Sequence, residues 1–169
     1  MEGKKTTLQT RNIYFPDREI TPDDLKFVCY MIERTARRIK QPNVYVVEHL
    51  SKEGLLHNLS LTDVMHCENP DDVVDRWISE YHLKKGSTDV LAVDKTLAPT
   101  PPTAIQMGKV YARLNLSVLS SQDNLADKIS EVYHSQCLPI KGITKFNHCF
   151  PVEEKRRTKV WKKRINRKR

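Results

Sequence analysis

The sequence predicts an all-α fold: a small bundle of about five or six short helices in two halves, followed by a basic C-terminal tail. Three observations carry that prediction. Apolar residues recur at i, i+3, i+4 and i+7 in several separate stretches. The start signal of cap, proline and paired acids occurs twice, at Thr21-Pro22-Asp23-Asp24 and Asn69-Pro70-Asp71-Asp72. The last fifteen residues hold ten Lys or Arg and no Asp or Glu.

Residues 1–20 read as a polar lead-in with a short apolar patch, Ile13-Tyr14-Phe15, stopped by Pro16. Thr21 caps the first helix, Pro22 takes its first position, and Asp23 and Asp24 favour the positive end of its dipole. Leu25, Val28, Cys29, Ile32, Ala36 and Ile39 form its apolar stripe. Arg34, Arg37, Arg38 and Lys40 load its exposed side and its end, and Pro42 closes it. A second helix is expected from about Asn43 to Glu53, with Val44, Val47 and Leu50 inward and Gly54 as its stop. Its β-branched residues pull towards a strand. Leu55, Leu56, Leu59 and Leu61 make a further helical piece, and Thr62 to Glu68 a connection. Val74, Trp77, Ile78 and Tyr81 follow the second start signal at helical spacing.

Residues 84–102 break the periodicity. Gly86, Ser87 and three prolines make this an extended linker between the halves. The divisions expected are 1–83 for the N-terminal half, 84–102 for the linker, 103–150 for the C-terminal half and 151–169 for the tail. Thr103 and Gln106 have capping-box spacing. Met107, Val110, Tyr111, Leu114 and Val118 then form one stripe, in which Gly108 marks a close helix approach. Asp123 or Asn124 opens a last helix through Leu125, Ile129, Val132 and Tyr133, ended by Pro139 and Gly142. Phe146 and Phe150 are expected to dock back on the core.

No apolar run reaches the length of a membrane span, and the N-terminus has no apolar signal region. Four irregularly spaced cysteines in such a chain favour free thiols, so a cytoplasmic protein is expected. The sequons at Asn58 and Asn115 then carry no glycan.

Removing the tail leaves 19 basic against 21 acidic residues, so the body carries a formal −2 and the tail +10. Dense cations without acids neutralise phosphates and release counterions, which gives affinity without sequence readout. Lys155, Arg156, Arg157, Lys159, Lys162, Lys163, Arg164, Arg167, Lys168 and Arg169 are the expected phosphate contacts, and Trp161 the stacking residue. The same segment also reads as a ligand for an acidic protein face, a membrane-surface or import segment, or a solubilising tail.

Reactive chemistry has weak footing. His134, Cys137, His148 and Cys149 do not match a zinc spacing, and His66-Cys67 has no nearby partners, so no metal or cofactor is expected. Cys29 lies on an apolar stripe and reads as an inert core thiol. Asp23, Asp24, Asp71, Asp72 and Asp75 sit at helix starts, where acids cap. No nucleophile elbow, phosphate loop or zinc-protease motif occurs, so no enzymatic activity is expected. Trp77 reads as core. Arg34, Arg37 and Arg38 read either as an extension of the tail's basic face or as a solvated face.

Residues 25–83, from LKFVCYMIERTARRI to VVDRWISEYHL, resemble an uncharacterised bacterial family of short helical domains. Residues 101–135, with the run Ile-Gln-Met-Gly-Lys-Val-Tyr-Ala-Arg-Leu, resemble a second short segment associated with the same gene neighbourhoods. Together they cover somewhat more than half of the chain. Members of that family often lie beside genes for ADP-ribosyltransferase-like proteins. The resemblance therefore implies an antitoxin-like or accessory role with a toxin-like enzyme as protein partner. It brings no catalytic residues, and the basic tail departs from the family's pattern. The expected function is a non-enzymatic binding module whose helical body docks on a protein and whose tail binds nucleic acid. The alternative is a dedicated nucleic-acid-binding protein, with the body as scaffold or dimerisation unit.

Overall fold

The computed structural model describes residues 8, 10–89, 92, 99–120 and 123–135. Among the described residues six helices run in order: α1 Pro22–Ile39, α2 Asn43–Ser60, α3 Thr62–Met65, α4 Pro70–Glu80, α5 Ala104–Val118 and α6 Leu125–His134. Among the described residues there is no strand, and a single antiparallel bridge joins Arg11 to Glu19. The all-α expectation holds. The basic tail, Phe146, Phe150, Pro139 and Gly142 lie outside the described residues.

Helix α1 begins as its sequence dictates. Thr21 Oγ1 accepts from the Asp24 amide, and the Thr21 amide donates to Asp24 Oδ2 at 2.7 Å, a reciprocal capping box. Asp24 is buried because it does more than cap. Its Oδ1 also accepts from the Thr62 hydroxyl and from Arg18, so one carboxylate ties the start of α1 to α3 and the N-terminal segment. Leu25, Val28, Cys29, Ile32, Ala36 and Ile39 are all buried as the periodicity requires. Lys40 ends the helix in the left-handed region at φ 55°.

Helix α2 departs from expectation. It does not stop at Gly54 but continues to Ser60, and its break lies at Ser51, with φ 60° and ψ 179°. That conformation is almost a glycine preserve, and a serine there carries about 1–3 kcal/mol of strain. Gly54 sits inside the second half for a different reason: a Cβ there would stand 3.0 Å from the Tyr81 ring. In the first half of the helix Val46, Val47 and Leu50 are buried, while Val44, expected inward, is only partly buried. The stretch expected as a connection, Thr62 to Glu68, contains the single turn α3.

Asn69 caps α4 by accepting from the Asp71 amide. Trp77 is fully buried, and its Nε1 donates to Asn58 Oδ1 at 2.9 Å. Asn58 in turn donates to the Gly54 carbonyl and to the Tyr81 hydroxyl, joining α2 to α4. Both sequon asparagines are therefore interior: Asn58 here, and Asn115 on α5, which donates to the Tyr111 carbonyl.

The capping box at Thr103 and Gln106 forms as spaced. Helix α5 then lies on α1, and Gly108 is the contact: a Cβ there would meet Tyr30 Cα at 2.6 Å. Tyr111, Leu114 and Asn115 face inward, while Val118 of the expected stripe is 38% exposed. Asn124 caps α6, whose Leu125, Ile129, Val132 and Tyr133 are buried. Tyr133 stacks on Tyr111 with centroids 4.1 Å apart and planes 8° apart. Residues on both sides of the 84–102 segment thus contribute to one core.

Two substitutions test this packing in opposite directions. Gly108→Ala forces α5 off the Tyr30 backbone and should destabilise by about 1–3 kcal/mol in urea unfolding. Ser51→Gly removes the strained φ/ψ and should raise stability by about 1 kcal/mol, net of the entropy glycine adds to the unfolded chain.

Candidate functional site

The residues expected to bind nucleic acid, Lys155 to Arg169, lie outside the described residues, as do Cys137, His148 and Cys149. The body accounts for most of the other candidates. Cys29 is fully buried, and desolvation pushes its thiol up to about 12, so it is no thiolate nucleophile at neutral pH. Asp24 is held in the capping network described above. Asp71 pairs with Arg34 at 2.9 Å, and Asp75 with Arg38 at 3.7 Å. Arg37 donates to the Pro102 carbonyl at 2.8 Å, where the chain enters α5.

The three arginines of α1 are therefore neither a free basic face nor merely solvated. Two meet the first turns of α4, and the third holds the linker's end. The sequence pattern hides this because the acids of α4 stand about 37 residues away in the chain.

Two of the histidines, His134 and His66, are engaged as well. His134 ends α6 with Nδ1 on the Ser130 carbonyl and Nε2 on the Glu48 carboxylate at 3.0 Å. Both contacts raise its pKa, the backbone carbonyl most. His66 packs on the Phe27 ring with centroids 4.1 Å apart, beside an exposed Cys67. Among the described residues no group of three His, Cys, Asp or Glu side chains is placed to hold a metal ion. None of the described helices is long and apolar enough to cross a membrane.

Two features emerge that sequence reading did not weigh. The first is the loop before α1. Asn12 Nδ2 donates to the Ser60 carbonyl at 2.8 Å, while its Oδ1 accepts from the amides of Tyr14 and Phe15, both at 2.9 Å. The Ile13 amide donates to Ser60 Oγ, and the Tyr14 hydroxyl hydrogen-bonds His57 Nδ1. Arg18 pairs with Asp63 on α3. A loop pinned at so many points still leaves Ile13, Tyr14 and Phe15 about half exposed, at 53%, 48% and 48%. The apolar trio was visible in the sequence; its anchoring was not, because Ser60 and Asp63 are distant in the chain.

The second feature is a polar cluster inside the bundle. Glu33, 5% exposed, accepts from Asn43 Nδ2 at 2.7 Å, and the same amide group approaches the Tyr111 hydroxyl at 3.0 Å. Burial raises the pKa of Glu33; the Asn43 bond and the nearby Arg37 charge oppose that rise. Burial likewise lifts Tyr111 and Tyr133. Glutamate on a helix face that also carries Ile32 and Ala36 is the only hint the sequence offers.

A carboxyl whose folded pKa lies above its unfolded value holds its proton more tightly when folded. Stability then falls as pH rises through the ordinary glutamate range and stays reduced above the raised value. Glu33→Gln keeps an acceptor for Asn43 and removes the titration. The variant should melt higher than the parent at pH 7 and nearly level with it at pH 4, as thermal unfolding at the two pH values will read. No protein-family model, no curated protein and no solved structure matches this chain.

Proposed function

We propose that the chain is a non-enzymatic binding module, in which the helical body docks on a protein partner and the basic tail engages nucleic acid. The observation that carries the reading is the separation of charge: +10 in residues 155–169 against −2 in residues 1–154. A phosphate backbone suits such a run, because each neutralised phosphate releases a condensed counterion. Trp161 within the run adds a stacking surface, worth about 1–3 kcal/mol per base.

The body supports the docking half of the reading. Exposed aromatic and aliphatic side chains on a pre-organised loop lose little entropy on binding, and Asn12 holds Ile13, Tyr14 and Phe15 in one conformation. The resemblance noted in the sequence supplies the class of partner, an ADP-ribosyltransferase-like enzyme, and makes the role antitoxin-like or accessory. The residues best suited to chemistry support a binding role as well: Cys29 is buried and protonated, and Asp24, Asp71 and Asp75 are engaged with neighbours.

The alternative, a dedicated nucleic-acid-binding protein, rests on the same tail with the body as scaffold. The two readings differ in where affinity resides. Nucleic-acid binding across a salt series, comparing the full chain with one ending at Glu154, tests both. The full chain should give a steep log–log slope, bounded at about 9 for ten phosphate contacts on duplex DNA, and truncation should abolish tight binding. No binding by the full chain at low salt would remove nucleic acid from the function and leave the protein partner alone.

A further inference from the structure

The end of helix α1 carries a second concentration of positive charge, and it belongs to the folded body. After α4 the chain turns at His82, φ 51°, and residues 84–88 run alongside the last turn of α1. Four hydrogen bonds fix them there. The Lys84 amide donates to the Tyr45 hydroxyl at 3.0 Å, and Gln41 Nε2 donates to the Lys84 carbonyl at 3.2 Å. The Gly86 amide donates to the Ile39 carbonyl at 2.8 Å, and the Thr88 amide to the Lys40 carbonyl at 2.9 Å. Gly86 is required for the approach, since a Cβ there would stand 2.6 Å from the Lys40 carbonyl oxygen. The result is a corner where Lys40, Lys84 and Lys85, all exposed, come from two segments held together by backbone.

Three details make this corner suited to an anion. Lys40, Lys84 and Lys85 form no ion pair among the described residues, whereas the neighbouring Arg38 is matched by Asp75. A helix C-terminus ordinarily presents bare carbonyls that repel anions. Here the carbonyls of Ala36, Arg37, Ile39 and Lys40 all accept hydrogen bonds from Lys40, Gln41, Gly86 or Thr88. The lysines also sit on anchored backbone, so only their side chains lose freedom when a phosphate is bound.

We infer that the Lys40–Lys84–Lys85 corner is a second phosphate-contacting surface, so that nucleic acid is held by the folded body as well as by the tail. The inference rests on the nucleic-acid reading above and adds to it a site within the bundle.

The test uses the full chain with a short duplex DNA and, separately, one of its single strands. The triple variant Lys40→Gln, Lys84→Gln, Lys85→Gln should reduce the salt slope by about 2.7 on the duplex and about 2.1 on the single strand. A control triple, Arg11→Gln, Lys109→Gln, Arg113→Gln, removes the same charge from exposed residues elsewhere on the body and should leave the slope close to that of the parent. The arginine triple at the corner should restore it, which separates loss of charge from loss of fold; matching thermal melts check the same point. An unchanged slope in the corner variant, or an equal fall in the control, overturns the corner while the tail's role stands. Absence of binding by the unsubstituted full chain overturns both.

Discussion

The bundle depends on how closely α5 can approach α1. At Gly108 the two backbones are separated by less than a side chain, since a Cβ would fall 2.6 Å from both the nitrogen and the Cα of Tyr30. That contact, together with Arg37 on the Pro102 carbonyl, sets α5 along α1 in the antiparallel sense. The consequences extend outward. Tyr111, one turn on from Gly108, is brought within reach of Asn43 at the start of α2, and Tyr133 of α6 stacks on Tyr111. Helix α1 is then covered on nearly every side, so even its Glu33 and Thr35 are interior. A wider spacing would open a void beside Tyr111 and wet Glu33.

Interior polarity is handled by amides and hydroxyls more than by charge pairs. Asn58 serves Trp77, Tyr81 and the Gly54 carbonyl, and Asn43 serves Glu33 and Tyr111. A neutral amide avoids most of the desolvation cost of a buried ion, and its loss strands several partners at once. Two buried carboxyls depart from this: Glu33, held by the Asn43 amide, and Asp24, surrounded by donors from Thr21, Thr62 and Arg18. The charge pairs lie on the surface, where each contributes at most about 1 kcal/mol. Their effect is more on where charge remains than on stability. The acids of α4 match Arg34 and Arg38, while Lys40 and the adjacent Lys84 and Lys85 form no ion pair among the described residues.

The parts of the fold written in local chemistry were legible. Thr21, Asn69 and Thr103 each cap the helix they were expected to cap, Asn124 is the one of the two candidates, Asp123 or Asn124, that caps α6, and the stripe from Leu25 to Ile39 is buried throughout. Gly108 was also legible as a close approach, because a helical glycine flanked by good helix formers has few other uses. The errors fall where a residue's reason lies far along the chain. Gly54 looks like a stop but makes room for Tyr81, and the break at Ser51 has no sequence signature at all. The arginines of α1 gave no sign of their partners on α4 for the same reason. The apolar trio at 13–15 was seen as a patch, but Asn12 and Ser60, which make it a presented surface, are 48 residues apart.

Charge in this protein is sorted by covalent position first and by folding second. A body of formal −2, with its acids largely engaged in caps and surface pairs, is a poor counterion for a run of ten cations. At physiological ionic strength charges more than about 8 Å apart are screened from one another, so only acids adjacent to a tail cation would compete for it. A polyphosphate backbone is a different competitor, because it presents closely spaced charges and gains entropy from each counterion released. That difference is the physical basis of the nucleic-acid reading proposed for the run of ten cations. Folding extends that asymmetry by gathering Lys40, Lys84 and Lys85 at one corner, where the backbone hydrogen bonds that fix residues 84–88 also occupy the Ile39 and Lys40 carbonyls.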